Sequence, residues 1–264
     1  LSQPDLNLMS LAAVSQVASS LGGLKSRYLK YLEAFCAANG IDVADVKKDG
    51  QSLKRAELFF GAIPVLIGLK YFENLSVLQI VGHEITSLKP LVEVSGTLEE
   101  LWICEGPLKD LSGIETCSRL KKLYLYENAI EHCRQLAELS ALSLIQLDNN
   151  RVADIRFLRH LPYLGSLSMA KNALTDASLL EEGSLWPRKL HHLDMSENKI
   201  GLFMSFFPVA VCSTLRTLSF FPSPSLSPST SRREEYYAWA AYHFHFIECL
   251  DGDVLTEDFV KRYM

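Results

Sequence analysis

The chain lacks the common sequence signs of catalysis. There is no Gly-rich phosphate loop, no nucleophile elbow and no H-E-x-x-H motif, so nothing announces nucleotide, acyl-transfer or zinc-hydrolase chemistry. No apolar run approaches the roughly 18 residues that span a bilayer; FFGAIPVLI at 59–67 is too short and contains Pro64. An excess of basic charge is also missing. The net charge of −5 and pI of about 5.8 argue against a general nucleic-acid binder. The six cysteines (Cys36, Cys104, Cys117, Cys133, Cys212 and Cys249) include no C-x-x-C pair and no terminal cluster. Free thiols in a reducing, cytoplasmic compartment are expected.

Histidine is sparse, with seven residues in 264. His191 and His192 are adjacent on an expected strand, so their side chains point to opposite faces and cannot share a metal. His132 and Cys133 have the same defect. His243, His245 and Cys249 have a better spacing, but they fall in an aromatic segment where packing accounts for them. The reading is of no metal, no cofactor and no enzyme. The one sequon, Asn74-Leu75-Ser76, places Leu75 at a core position, so glycosylation is not expected.

What the chain does have is a period. Asn128, Asn150, Asn172 and Asn198 each lie eight residues after a leucine that opens the pattern L-x-x-L-x-L-x-x-N-x-L. The segments are LKKLYLYENAI, LSLIQLDNNRV, LGSLSMAKNAL and LHHLDMSENKI. The opening leucines are Leu75, Leu98, Leu120, Leu142, Leu164, Leu190 and Leu215, at spacings of 22 to 26 residues. Leu53, Ala56, Leu58 and Ile63 fit one register earlier, though poorly. This is the leucine-rich-repeat pattern, with one strand and one connecting arc per turn. It predicts an α/β solenoid with a parallel concave sheet, seven turns and a degenerate opening one.

Side chains alternate across a strand, so Leu101 and Ile103, like Leu123 and Leu125, should point into the core. The expected strands include 78–80, 101–103, 123–125, 145–147, 167–169 and 193–195. Each ladder asparagine has donors and an acceptor to satisfy backbone where the strand bends into its arc. His83, Gly106 and Ser223 stand at that position in the weaker turns. In the arcs, Val152, Ile155, Leu158 and Leu161 recur every third residue, which suits 3₁₀ or short helical turns on the convex side.

The chain divides into an N-terminal helical cap at 1–52, a repeat array at 53–221, a Ser/Pro-rich loop at 222–235 and a C-terminal cap at 236–264. The loop holds Ser223-Pro224 and Ser227-Pro228, which could accept proline-directed phosphorylation. The chain opens on Leu1, without a signal-peptide pattern, which suits a fragment of a longer polypeptide.

The register also predicts the concave surface. Trp102, Tyr124 and Tyr126 should lie side by side and exposed, ringed by Glu100, Glu105, Glu127 and Asp148, with Lys122 and Gln146 beside them. Aromatic anchors in a charged surround have the character of a protein-interaction hot spot. Its acidic rim favours a protein partner with a basic or amphipathic segment.

The 22-residue turns and the closing LDG-x-x-x-T at 250–256 resemble the phosphatase-regulator and axonemal subfamily of leucine-rich-repeat proteins. The run from AFCAANGIDVADVKKDG through LEELWICEGPLKDLSGIETCSRLKKLYLYENAI is similar to the N-terminal array of a long ciliary member of that group, over about residues 27–220. The resemblance implies a non-catalytic scaffold within a larger assembly in a cilium, a flagellum or the cytoskeleton. A phosphatase-regulatory subunit that grips its catalytic subunit through the concave face is the alternative. An RNA-processing scaffold fits less well with the acidic charge.

Overall fold

The computed structural model describes residues 26–179, 186–220, 230–244 and 246–256. Strands β1 (Arg55–Phe59), β2 (Val77–Val81), β3 (Glu100–Cys104), β4 (Lys122–Tyr124), β5 (Leu144–Gln146), β6 (Ser166–Ser168), β7 (His192–Asp194), β8 (Thr217–Ser219), β9 (Cys249–Leu250) and β10 (Asp253–Val254) form one sheet in sequence order. Successive strands from β1 to β9 pair parallel, and β10 folds back antiparallel on β9. Four of the short strands sit one residue earlier than expected. The ladder nevertheless runs on past their ends, since the Leu125 N–H donates to the Gln146 carbonyl at 2.8 Å and the Glu127 N–H to the Asp148 carbonyl at 2.9 Å.

The core follows the repeat. All seven opening leucines are fully buried, and so are Leu101, Ile103, Leu123 and Leu125. The register stacks Ala56, Leu78, Leu101, Leu123, Ile145, Leu167, Leu193, Leu218 and Leu250 in one column across nine turns. No single turn could bury these alone. The degenerate opening turn is a full member, with Ala56, Leu58 and Ile63 buried. The arcs are mostly 3₁₀, as at Lys89–Val94, Arg134–Glu138 and Arg156–His160. Phe203–Val211 extends this to nine residues and leaves Leu202, Met204, Phe207 and Val211 exposed.

The asparagines form the expected ladder. Asn150 Nδ2 donates to the carbonyls of Leu125, Leu147 and Asp148 at 2.9, 3.0 and 3.2 Å, while its Oδ1 accepts from the Ile130 N–H at 3.0 Å. Asn172 and Asn198 repeat this set one and two turns on. Asn128 does so one turn earlier. The ladder changes at its start. His83 is buried with Nδ1 accepting from the Ile85 N–H at 2.8 Å, and its ring occupies the space a side chain at position 106 would need. Only glycine fits there: a Cβ on Gly106 would come within 2.4 Å of that ring.

Each end of the sheet is closed. The helix Ser26–Ala38 buries Leu29, Leu32, Phe35 and Cys36. Asn39, just past its end, turns its amide onto the open edge of β1. Its Oδ1 accepts from the Glu57 N–H at 2.9 Å and its Nδ2 donates to the Glu57 carbonyl at 3.0 Å. A side chain thus stands in for a neighbouring strand and blunts an edge that would otherwise recruit one. At the other end Asp251 and Gly252 take left-handed conformations that reverse the chain between β9 and β10. Asp251 Oδ1 accepts from the Phe220 N–H at 2.5 Å, which fixes the turn to the last repeat. The helix Thr230–His243 buries Tyr236, Tyr237, Ala240 and Ala241. It begins inside the stretch expected to be a loop; Ser223 and Ser227 lie outside the described residues, as do residues 1–25 of the expected N-terminal cap.

Candidate functional site

Parallel registration brings the expected residues together. Glu100, Lys122 and Leu144 are aligned partners on β3, β4 and β5, and so are Trp102, Tyr124 and Gln146. The Trp102 and Tyr124 rings stack with centroids 3.7 Å apart and planes 20° from parallel. Tyr126 stands edge-on to Trp102, with centroids 6.5 Å apart and planes at 84°. The three rings are half-buried rather than fully exposed, because each covers part of its neighbour. Their geometry makes one shelf across two turns.

The polar surround is less uniformly acidic than expected. The Glu100 carboxylate accepts from Trp102 Nε1 at 2.8 Å and meets Lys122 Nζ at 3.3 Å. These partners overcome the cost of its partial burial and hold its pKa below the usual range. Asp148 Oδ1 accepts from Ser168 Oγ at 2.5 Å and from the Ala170 N–H at 2.8 Å, so it braces the neighbouring strand. Glu105 and Glu127 differ: neither makes an ion pair with a described residue. The Tyr126 hydroxyl is pushed up to about 12, first by burial, then by the neighbouring Cys104 and Glu105, and least by Glu127. The Tyr124 hydroxyl is raised by burial and then by Glu100.

Two features of this surface were not read from the sequence. The degenerate first strand adds Arg55, Glu57 and Phe59 to the concave rows, and Arg55 donates to Gln79 Oε1 at 2.7 Å. The alternation of buried Ala56 and Leu58 was the available clue. The rim residues Glu105, Glu127, Asn149, Lys171 and Glu197 also share a left-handed backbone, with φ between 54° and 59°. Phe60 and Gly82 continue that column toward the N-terminus. Cys104, which strand alternation from Glu100 and Trp102 would put on the exposed concave face, is instead fully buried, and its Sγ donates to the Tyr124 carbonyl at 3.3 Å. Burial pushes its thiol up to about 12, which makes it a poor nucleophile.

Elsewhere the chemistry is self-contained. An open cleft of about 870 Å³ lies against the arcs, lined by His132, Arg134, Asp154, Arg156 and His160 among others. Its Arg156 is tied to Asp154 by three hydrogen bonds between their side chains. His243 packs among the rings of Phe207, Trp239 and Tyr242, at 5.3, 5.1 and 4.9 Å; His245 lies outside the described residues. Among the described residues no group of three His, Cys, Asp or Glu could hold a metal ion, and no helix is long and apolar enough to cross a membrane.

No protein-family model matches the chain. Among solved structures it is similar to internalin C2 of Listeria monocytogenes, with 24% identity and a TM-score of 0.64 over 83% of this chain and 90% of that one. An internalin (inlF) from the same organism aligns at 19% identity and a TM-score of 0.56, covering 87% of this chain and 71% of that chain. A leucine-rich-repeat protein of Leptospira interrogans aligns at 18% identity and a TM-score of 0.51, over 69% of this chain and 50% of that one. With the ten-stranded sheet and its 3₁₀ arcs, these likenesses establish that the chain has the leucine-rich-repeat solenoid fold.

Proposed function

We propose that this chain is a non-catalytic interaction scaffold that holds a protein partner on the N-terminal half of its concave face. The observation that carries this reading is the shelf of Trp102, Tyr124 and Tyr126, three large rings left half-open on two adjacent turns. Aromatic residues dominate the energetics of protein interfaces, and the fold presents a rigid surface on which little ordering entropy is lost on binding. The leucine-rich-repeat fold is itself most often a frame for such surfaces.

The resemblance of residues 27–220 to the N-terminal array of leucine-rich repeat-containing protein nine supports a place in a cilium, a flagellum or a cytoskeletal assembly. The alternative, a phosphatase-regulatory subunit, draws on the same subfamily resemblance, which the 22-residue turns and the Leu250-Asp251-Gly252 closing turn carry for both readings alike. Proximity labelling with the full-length protein in ciliated cells separates the two. Tubulin and dynein components around the wild type support the first, and a phosphatase catalytic subunit supports the second. Labelling that is unchanged in a variant with Trp102, Tyr124 and Tyr126 all converted to alanine sinks the concave-face reading in either form.

A further inference from the structure

Glu105 and Glu127 occupy the same place on adjacent turns, four residues after the aligned core leucines Leu101 and Leu123. Backbone bonds fix that alignment: the Glu105 N–H donates to the Tyr126 carbonyl at 3.1 Å, and the Gly106 N–H to the Glu127 carbonyl at 2.9 Å. Both residues have the same left-handed backbone, with φ of 59° and 54°, so both side chains leave the rim in the same sense. Adjacent strands are about 4.8 Å apart. Two like charges therefore stand side by side, an arrangement that is destabilising across a pair of strands.

Further along the same rim the chain neutralises itself, with Lys171 Nζ 3.5 Å from Glu197. No ion pair among the described residues joins a cation to Glu105 or Glu127, and the cations at the opposite end of these strands answer other groups. Lys122 meets Glu100, Lys121 and Arg119 meet Glu99, and Arg55 meets Gln79 and Glu57. Tyr126 lies next to Glu127 in the chain and its carbonyl accepts from the Glu105 N–H, while its ring stands at the edge of the aromatic shelf. Unanswered negative charge beside an aromatic face calls for a cation that is also flat.

Resting on the concave-face reading above, we propose that the partner supplies an arginine whose guanidinium lies along the Tyr126 ring and bridges Glu105 and Glu127. Arginine suits this place better than lysine. Its planar fork carries five donors, enough to reach two carboxylates at once, and its weakly hydrated face stacks on aromatic rings. An ammonium could satisfy one carboxylate well but gains less from the ring. The bridge removes the repulsion between the two glutamates as well as adding charge-assisted hydrogen bonds.

The test uses N-acetyl-arginine methylamide as the probe, with the citrulline and lysine analogues as comparators. Citrulline keeps the shape of arginine and loses the charge. Binding is read by NMR on the intact chain carrying ring-labelled tyrosine, with the Tyr126 resonance assigned by Tyr126→Phe. The expected result is a saturable Tyr126 shift at about millimolar arginine concentration, as suits a lone side chain. Lysine should be several-fold weaker and citrulline should give no shift. In the Glu105→Gln/Glu127→Gln double variant the arginine affinity should fall at least tenfold. E127Q alone should raise the melting temperature at low salt, and the gain should shrink as salt rises. The proposal is overturned if citrulline shifts Tyr126 as arginine does, or if the double variant keeps its affinity. It is overturned equally if arginine gives no saturable shift. The concave-face reading survives those failures provided a photo-crosslinker at position 102 still captures the partner.

Discussion

The asparagine ladder permits a sharp test at Asn150, which is 8% exposed and makes four hydrogen bonds to backbone. Asn150→Ala leaves the Ile130 N–H without its acceptor and removes a donor from the Leu125 and Leu147 carbonyls. A buried polar group left unsatisfied costs about 1–3 kcal/mol, and the carbonyls add to this, so a loss of roughly 2–4 kcal/mol is expected. Asn150→Asp is nearly isosteric but should be worse at neutral pH. It aims a carboxylate oxygen at three carbonyls 2.9–3.2 Å away, where an N–H donor had been. That carboxyl should have a folded-state pKa raised above its unfolded value. Its neutral form fits the fold, so its relative stability should be highest below about pH 4 and should be lost as the pH rises through the folded pKa. Urea denaturation followed by far-UV circular dichroism from pH 4 to 8 measures both effects, and hydrogen exchange at the Ile130 amide localises them. The reasoning is refuted if Asn150→Ala costs less than about 0.5 kcal/mol, or if Asn150→Asp matches it at pH 7.

Other substitutions probe other levels of the account. His83 is 5% exposed, and burial holds its pKa down to about 4 against a smaller opposing pull from the Ile103 carbonyl. The folded state thus favours neutral imidazole, so this contribution to stability is complete above about pH 6.5 and is lost as the pH falls toward 4, up to roughly 3 kcal/mol. His83→Asn should flatten the pH dependence of urea midpoints over that window. Trp102→Ala should cost about 1–2 kcal/mol of stability from the lost ring stack, and at least 2 kcal/mol of partner affinity by calorimetry. Asn149→Val forces a β-branched residue into a left-handed backbone (φ 54°). It should cost about 1–2 kcal/mol in thermal melts, whereas Asn149→Gly should be close to neutral. Leu125→Ala, at a fully buried position, should cost about 2–5 kcal/mol and leave a concave binding surface whose residues are all still present.

Much of the fold was legible because a repeat states its geometry many times. Leu101, Leu123 and Leu167 each follow from the same spacing, and nine stacked turns average out the weakness of any one. Turns that depart from the pattern were harder. His83 and Gly106 compensate one another across two turns, a relation invisible to a template read one turn at a time. The site was legible as a set of neighbours, since parallel registration puts Trp102 beside Tyr124 whatever their rotamers. Its electrostatics were not. That Lys122 answers Glu100, and that Asp148 is spent on Ser168 and the Ala170 N–H, depends on side-chain directions that spacing does not contain. Cys104 was misplaced for a similar reason: alternation sets the face on which a side chain stands, not whether neighbouring rings cover it.

The concave face as the place of recognition is tested most directly by site-specific crosslinking in living cells. A photo-reactive phenylalanine analogue replaces Trp102 on the concave shelf in one protein and Tyr163, which is 57% exposed at the end of an arc, in another. The account predicts a discrete crosslinked partner from position 102, abolished by Tyr124→Ala/Tyr126→Ala, and no such product from position 163. A discrete partner captured at position 163 but not at 102 would contradict it.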